Sequence, residues 1–68
     1  MGPIHTRLGM KIKELRTERG ITQEALARKA DISLGYVTRL ENGRHEPTLT
    51  TLAKIAKVLK VKVADLLE

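Results

Sequence analysis

The chain is 68 residues long, a single domain near the size limit at which one core holds a fold without disulfides or metal, and it leaves no room for an enzyme-sized cleft. The absence of cysteine excludes a disulfide framework and a thiolate zinc site, and no apolar run approaches the ~18 residues of a membrane span. Lysine and arginine number 13 against 8 acidic residues, and the net charge of +5 favours a polyanionic partner.

The N-terminal MGPIHTRLGMK lacks the apolar centre of a signal peptide, so the expectation is a soluble protein of the reducing cytoplasm. Residues 1–5 read as a flexible N-terminal segment of the one domain that spans 1–68. From Thr6 to about Arg19, Leu8, Ile12 and Leu15 recur at helical spacing between Arg7, Lys11, Lys13 and Arg16, which predicts an amphipathic helix. Gly20 stands where that helix stops. Thr22 is placed to cap a second, short helix over Gln23 to Ala30, with Leu26 and Ala30 on one face and Ala25 and Ala27 keeping it slim.

Ser33 is the next capping residue, and Asn42 with Gly43 forms a stop for the third helix. After the loop GRHEP, Thr48 caps a fourth helix whose apolar stripe is read as Leu49, Leu52, Ala53, Ile55, Ala56 and Leu59. Val61 and Val63 are β-branched and interrupt the helical run. Ala64 to Leu67 then supplies a last turn that lays Leu66 and Leu67 on the core. No strand alternation, repeat or interdomain linker is visible. The expected fold class is all-α, a bundle of five short helices sharing one core.

The third helix carries an anomaly, because Gly35 lies in its first turn, where glycine costs about 1 kcal/mol relative to alanine. On a helical wheel Ser33, Tyr36, Val37 and Leu40 gather on one side. Leu34, Gly35, Thr38, Arg39 and Asn42 occupy the other. That second face combines hydrogen-bonding groups, a methyl-bearing surface and one bare backbone position, as the floor of a DNA major groove requires. With Tyr36 as the only aromatic residue there is no platform for stacking unpaired bases, so duplex DNA fits better than single strands or RNA. Ala27 is small where two helices joined by the short turn Ala30, Asp31 and Ile32 must cross closely, and Asp31 stands where a positive φ is needed.

These residues carry a resemblance. QEALARKADISLGYVTRL, followed by ENGRHEPTL, resembles the helix-turn-helix of the phage repressor and Cro family, often called Xre-like, with the motif at about 23–42 and the likeness running from Leu8 to Leu67. Asp31 departs from the glycine the family favours. The resemblance implies a lambda-repressor-like DNA-binding fold with Ala27, Asp31, Val37, Leu40 and Glu41 in structural positions. It implies base reading by Leu34, Gly35, Thr38 and Arg39, with Arg39 able to bind guanine through two hydrogen bonds. DNA phosphates would be met by Gln23, Ser33, Tyr36, Asn42, the Gly43 backbone, Arg44 and Arg16. Arg16 would also pair with Glu41 and tie the first helix to the third. A dimer contact is implied at Lys60, Val61, Lys62, Val63 and Ala64.

The function so implied is a sequence-specific duplex-DNA-binding transcription regulator, a repressor occupying a palindromic operator as a homodimer through the major groove. Its location would be the cytoplasm, on the nucleoid. A second reading is a protein-interaction module such as the antitoxin of a toxin pair. Other readings of single residues are plainer: Leu34 as a core or dimer contact, Tyr36 as a packed ring, Gly35 as a tolerated glycine, the fourth-helix lysines as solubilising. His5 and His45 have no companion ligands at metal-binding spacing, so no metal, cofactor, small-molecule ligand, membrane association or enzymatic activity is expected.

Overall fold

The computed structural model describes residues 4–68. Five helices follow in order: α1 Ile4–Glu18, α2 Gln23–Ala30, α3 Leu34–Glu41, α4 Leu49–Leu59 and α5 Val63–Leu66. No strand occurs among the described residues, and no helix among them is long and apolar enough to cross a membrane. The first helix starts at Ile4, ahead of the expected Thr6. Of the segment expected to be flexible, residues 1–3 lie outside the described residues, while Ile4 and His5 belong to α1.

Each helix is bounded by chemistry local to its ends. The hydroxyls of Thr22, Ser33 and Thr48 accept the backbone N–H groups of Ala25, Tyr36 and Thr51 at 3.0, 3.0 and 3.1 Å, satisfying donors that the first turn leaves unpaired. Four helices end on a residue in the left-handed region: Gly20, Asp31, Gly43 and Lys60, with φ of 66°, 58°, 73° and 60°. In each case the next residue donates back into the closing turn, as Ile21 does to the Arg16 carbonyl at 3.0 Å and Val61 to that of Ala56 at 3.0 Å. Asp31 adopts the positive φ expected of it. Lys60 does so without any sequence warning, and a lysine there carries roughly 1–2 kcal/mol of steric cost that glycine would not.

The core consists of aliphatic side chains, with Ile12, Leu26, Val37, Leu40, Ile55, Leu59 and Leu66 fully buried. The third helix packs on α1 and α2, α4 packs against α2, and α5 returns from α4 to α1. Three apolar residues expected on the core are exposed. Leu49 is 70% exposed and Ala53 is exposed as well, because the buried arc of α4 runs through Leu52, Ile55, Ala56 and Leu59; Leu49 sits at its edge in the first turn and Ala53 beyond it. Leu67 is 54% exposed because one turn of helix cannot direct two consecutive side chains inward, and Leu66 takes the buried position.

One glycine that the periodicity of α1 conceals proves to be a packing residue. A Cβ at Gly9 would collide with the Leu40 carbonyl oxygen and lie 2.9 Å from that of Glu41. The backbone of α1 therefore meets the C-terminal turn of α3 with nothing between them. Gly9→Ala should lower stability by a net 1–2 kcal/mol or so in urea unfolding, overpacking outweighing the ~1 kcal/mol that alanine gains in a helix. A more stable Gly9→Ala chain would contradict this crossing.

Candidate nucleic-acid interface

The helix α3 is held from behind by Val37 and Leu40, both fully buried, and from the side by Tyr36, half-buried with its ring edge-on to His45 at a centroid distance of 4.4 Å. Its other side is open. Leu34 is 44% exposed, and Gly35, Thr38, Arg39 and Asn42 are exposed beside it, so one element carries the whole expected base-reading set on one face. Ser33, placed on the inward side by the wheel, is exposed instead. As the capping residue it precedes the helix and turns its oxygen to the Tyr36 N–H.

Gly35 has one neighbour that a side chain would meet: a Cβ there would stand 3.3 Å from Nη1 of Arg39. Helical side chains lean towards the N-terminus, so the guanidinium lies back over the bare position one turn earlier. Gly43 is held more tightly. A Cβ on it would lie 2.8 Å from Oγ1 and 2.9 Å from Cα of Thr6, and with φ at 73° the position excludes a side chain twice over. The N–H groups of Asn42, Gly43 and Arg44 all close the end of α3, on the carbonyls of Thr38, Leu40 and Arg39. They are therefore engaged within the protein, while the side chains of Asn42 and Arg44 are exposed.

Beneath this face lies a buried ion pair. Arg16 and Glu41 are 8% and 5% exposed, with Nε of Arg16 2.6 Å from Oε2 of Glu41 and Nη2 3.1 Å from Oε1. The remaining terminal nitrogen, Nη1, donates to the Ile21 carbonyl at 2.8 Å. Hydrogen bonding to Glu41 raises the Arg16 pKa above its ordinary value, against the opposing effect of burial. While the Glu41 carboxylate is ionised, the stability tied to that charge is fully present below the ordinary arginine pKa and is lost as pH rises through the raised value. Of the two roles the resemblance gives Arg16, this geometry serves the tie between α1 and α3, since the guanidinium faces inward.

Gln23 completes the arrangement. Its Nε2 donates to Oε1 of Glu41 at 2.9 Å, and its Oε1 lies 3.4 Å from the Thr38 hydroxyl, which is also 3.1 Å from the Leu34 carbonyl oxygen. Among the described residues no buried side-chain nitrogen or oxygen lacks a partner. The link between Gln23 and Glu41, 18 residues apart, has no signal in local spacing and was not expected. Gly9, seven residues before Arg16 on the edge of α1 that meets α3, likewise has no mark in periodicity, since its role lies in the crossing itself. The expected dimer stretch is partly open, with Lys60, Lys62 and Ala64 exposed and Val61 and Val63 half-buried against the core. His45 is engaged with Tyr36, the side chain of His5 lies outside the described residues, and no group of three metal-ligating residues occurs among the described ones.

The Helix-turn-helix family model, HTH_3, matches residues 12–66. The chain is 42% identical over 62 residues to an HTH-type transcriptional regulator of Deinococcus deserti, DdrOP3, covering 91% of this chain and 48% of the relative. It is 40% identical over 57 residues to the immunity repressor protein of Bacillus phage phi105, covering 84% of this chain and 40% of the relative. The chain thus spans less than half the length of these two curated relatives. Among solved structures it is similar to the biofilm master regulator SinR in complex with DNA, with a TM-score of 0.84, 35% identity, and coverage of 90% of this chain and 98% of that one.

Removing one partner of the buried pair leaves the other charge in the interior without compensation. Glu41→Leu should therefore destabilise the fold by about 3–5 kcal/mol in thermal or urea unfolding. A change under ~1 kcal/mol would show that the pair is solvated and replaceable.

Proposed function

The chain belongs to the helix-turn-helix family of HTH_3, Xre-like type, and from that premise we propose that it is a sequence-specific duplex-DNA-binding transcription regulator. It acts as a repressor in the cytoplasm, by occupancy of a palindromic operator. The observation that carries this reading is the exposed face of Leu34, Gly35, Thr38 and Arg39 on a helix whose other side is locked into the core. The B-DNA major groove admits one α-helix, and it presents acceptors, donors and the thymine methyl that such a face complements.

The roles divide by chemistry. Arg39 reaches guanine O6 and N7 with two donors, Leu34 offers apolar contact to a thymine methyl, and Gly35 leaves the approach clear while seating the arginine. Phosphates are met by the exposed side chains of Ser33, Asn42 and Arg44, by the Tyr36 hydroxyl, and by Gln23 at the N-terminal end of α2. The surplus of positive charge adds affinity by releasing counterions, so binding weakens as salt rises. A single α3 reads only a few base pairs. Useful specificity follows when two copies, joined around Lys60 to Ala64, present their third helices about 34 Å apart to successive major grooves.

The test is binding to a randomised duplex pool and to the sequences selected from it. Arg39→Ala should lower affinity for the selected operator by 1–3 kcal/mol or so and relax preference at one position in each half-site, leaving the others intact. Equal weakening on every duplex would contradict base reading by Arg39. Binding that is absent, or insensitive to salt between roughly 50 and 200 mM, would contradict the DNA-binding reading as a whole.

A further inference from the structure

A threonine in the major groove is ordinarily ambiguous, because its hydroxyl can donate to a base or accept from one. The hydrogen-bond chain behind α3 removes that ambiguity. Glu41, ionised opposite Arg16, is purely an acceptor. The group that Gln23 turns to it at 2.9 Å is therefore the amide NH2, and the amide oxygen is left facing Thr38. The two groups within hydrogen-bonding reach of the Thr38 hydroxyl, the Gln23 amide oxygen at 3.4 Å and the Leu34 carbonyl oxygen at 3.1 Å, are both acceptors. The hydroxyl has one proton, and it is engaged inside the protein.

We propose that Thr38 is preset as a hydrogen-bond acceptor towards the DNA groove, so that the base it reads is one presenting an amino group there, adenine or cytosine. The inference rests on the reading of α3 as the groove-bound helix and adds the polarity of one contact within it. Adenine N6 and cytosine N4 are the major-groove donors. Guanine offers O6 and N7 and thymine O4, all acceptors, which would set lone pair against lone pair at Oγ1. The Leu34 carbonyl is the nearer acceptor for the Thr38 proton, and the Gln23 amide oxygen, its polarity fixed by the carboxylate in the core, adds a second one.

The experiment is selection from a randomised duplex pool by the whole chain, compared with Thr38→Val and Gln23→Met. Thr38→Val keeps the shape and a methyl but has no hydroxyl, and Thr38 is exposed, so the variant folds. Thr38→Val should alter selection at one position in each half-site and leave the other positions unchanged. At that base pair, replacing adenine by purine or cytosine by 2-pyrimidinone, which removes the amino group alone, should weaken binding of the wild-type chain roughly three- to tenfold, the range of one neutral hydrogen bond, and should leave Thr38→Val indifferent. Gln23→Met keeps the nearer Leu34 acceptor and should keep the requirement for the amino group, whatever it does to affinity for all sequences alike. The proposal is overturned if Thr38→Val changes no position, or if the wild-type chain is indifferent to loss of the amino group there and is weakened instead by loss of the partner base's O4 or O6. A wild-type chain that enriches no sequence overturns the regulator reading itself, an outcome distinct from indifference to the amino group at this one position.

Discussion

The contact on which the rest of the molecule depends is the ion pair between Arg16 and Glu41. One guanidinium, almost wholly buried, joins the last turns of α1 and α3 and the α1–α2 turn through the Ile21 carbonyl, and Gln23 brings the first turn of α2 to the same carboxylate. Aliphatic contacts alone tolerate sliding and repacking among side chains of similar volume. A bidentate arginine has little such tolerance, because its donors match the carboxylate in one orientation. In a chain this small the pair sets the relative placement of three helices, a task for which directional bonds suit better than apolar area.

That placement decides what faces outward. Gly9 lets the α1 backbone come against Leu40 and Glu41, the ion pair fixes α3 against α1, and Val37 and Leu40 fill the space behind. Leu34, Gly35, Thr38 and Arg39 are left on the open side as a result. The same carboxylate that anchors α3 orients the Gln23 amide, so core and surface share one hydrogen-bond chain. Buried polar networks of this kind contribute little net stability compared with an apolar replacement. What this one supplies is a fixed geometry behind the exposed face of α3.

Most of the fold was legible because its instructions are local. Threonine and serine caps, the stops at Gly20 and Gly43, and the helical spacing of buried residues act within a few positions of one another, so order in sequence is enough to read them. Asp31 was legible for the same reason. The exposed face of α3 followed from the wheel, whereas the engagement of the backbone N–H groups at 42–44 did not, because it depends on how the helix closes. Reading failed where a property is set by tertiary packing or by the last turn of an element. Leu49 and Leu67 have the composition of core residues but lie just outside the arcs that their helices bury. The left-handed Lys60 and the reach of Gln23 to Glu41 leave no mark in periodicity. The Arg16–Glu41 pair was reached through family resemblance, since 25 residues separate its members.

The most direct test of the molecule as a groove-reading helix on a locked support is an NMR titration of the isotope-labelled chain with a selected duplex. Amide shifts should concentrate on Gln23, on Ser33 to Arg39 and on Asn42 to Arg44, with the Arg16 guanidinium signal present before and after binding and slow to exchange with water. Shifts centred instead on the exposed side of α1 or on the outer face of α4, or an Arg16 signal lost to fast exchange in the free chain, would contradict it.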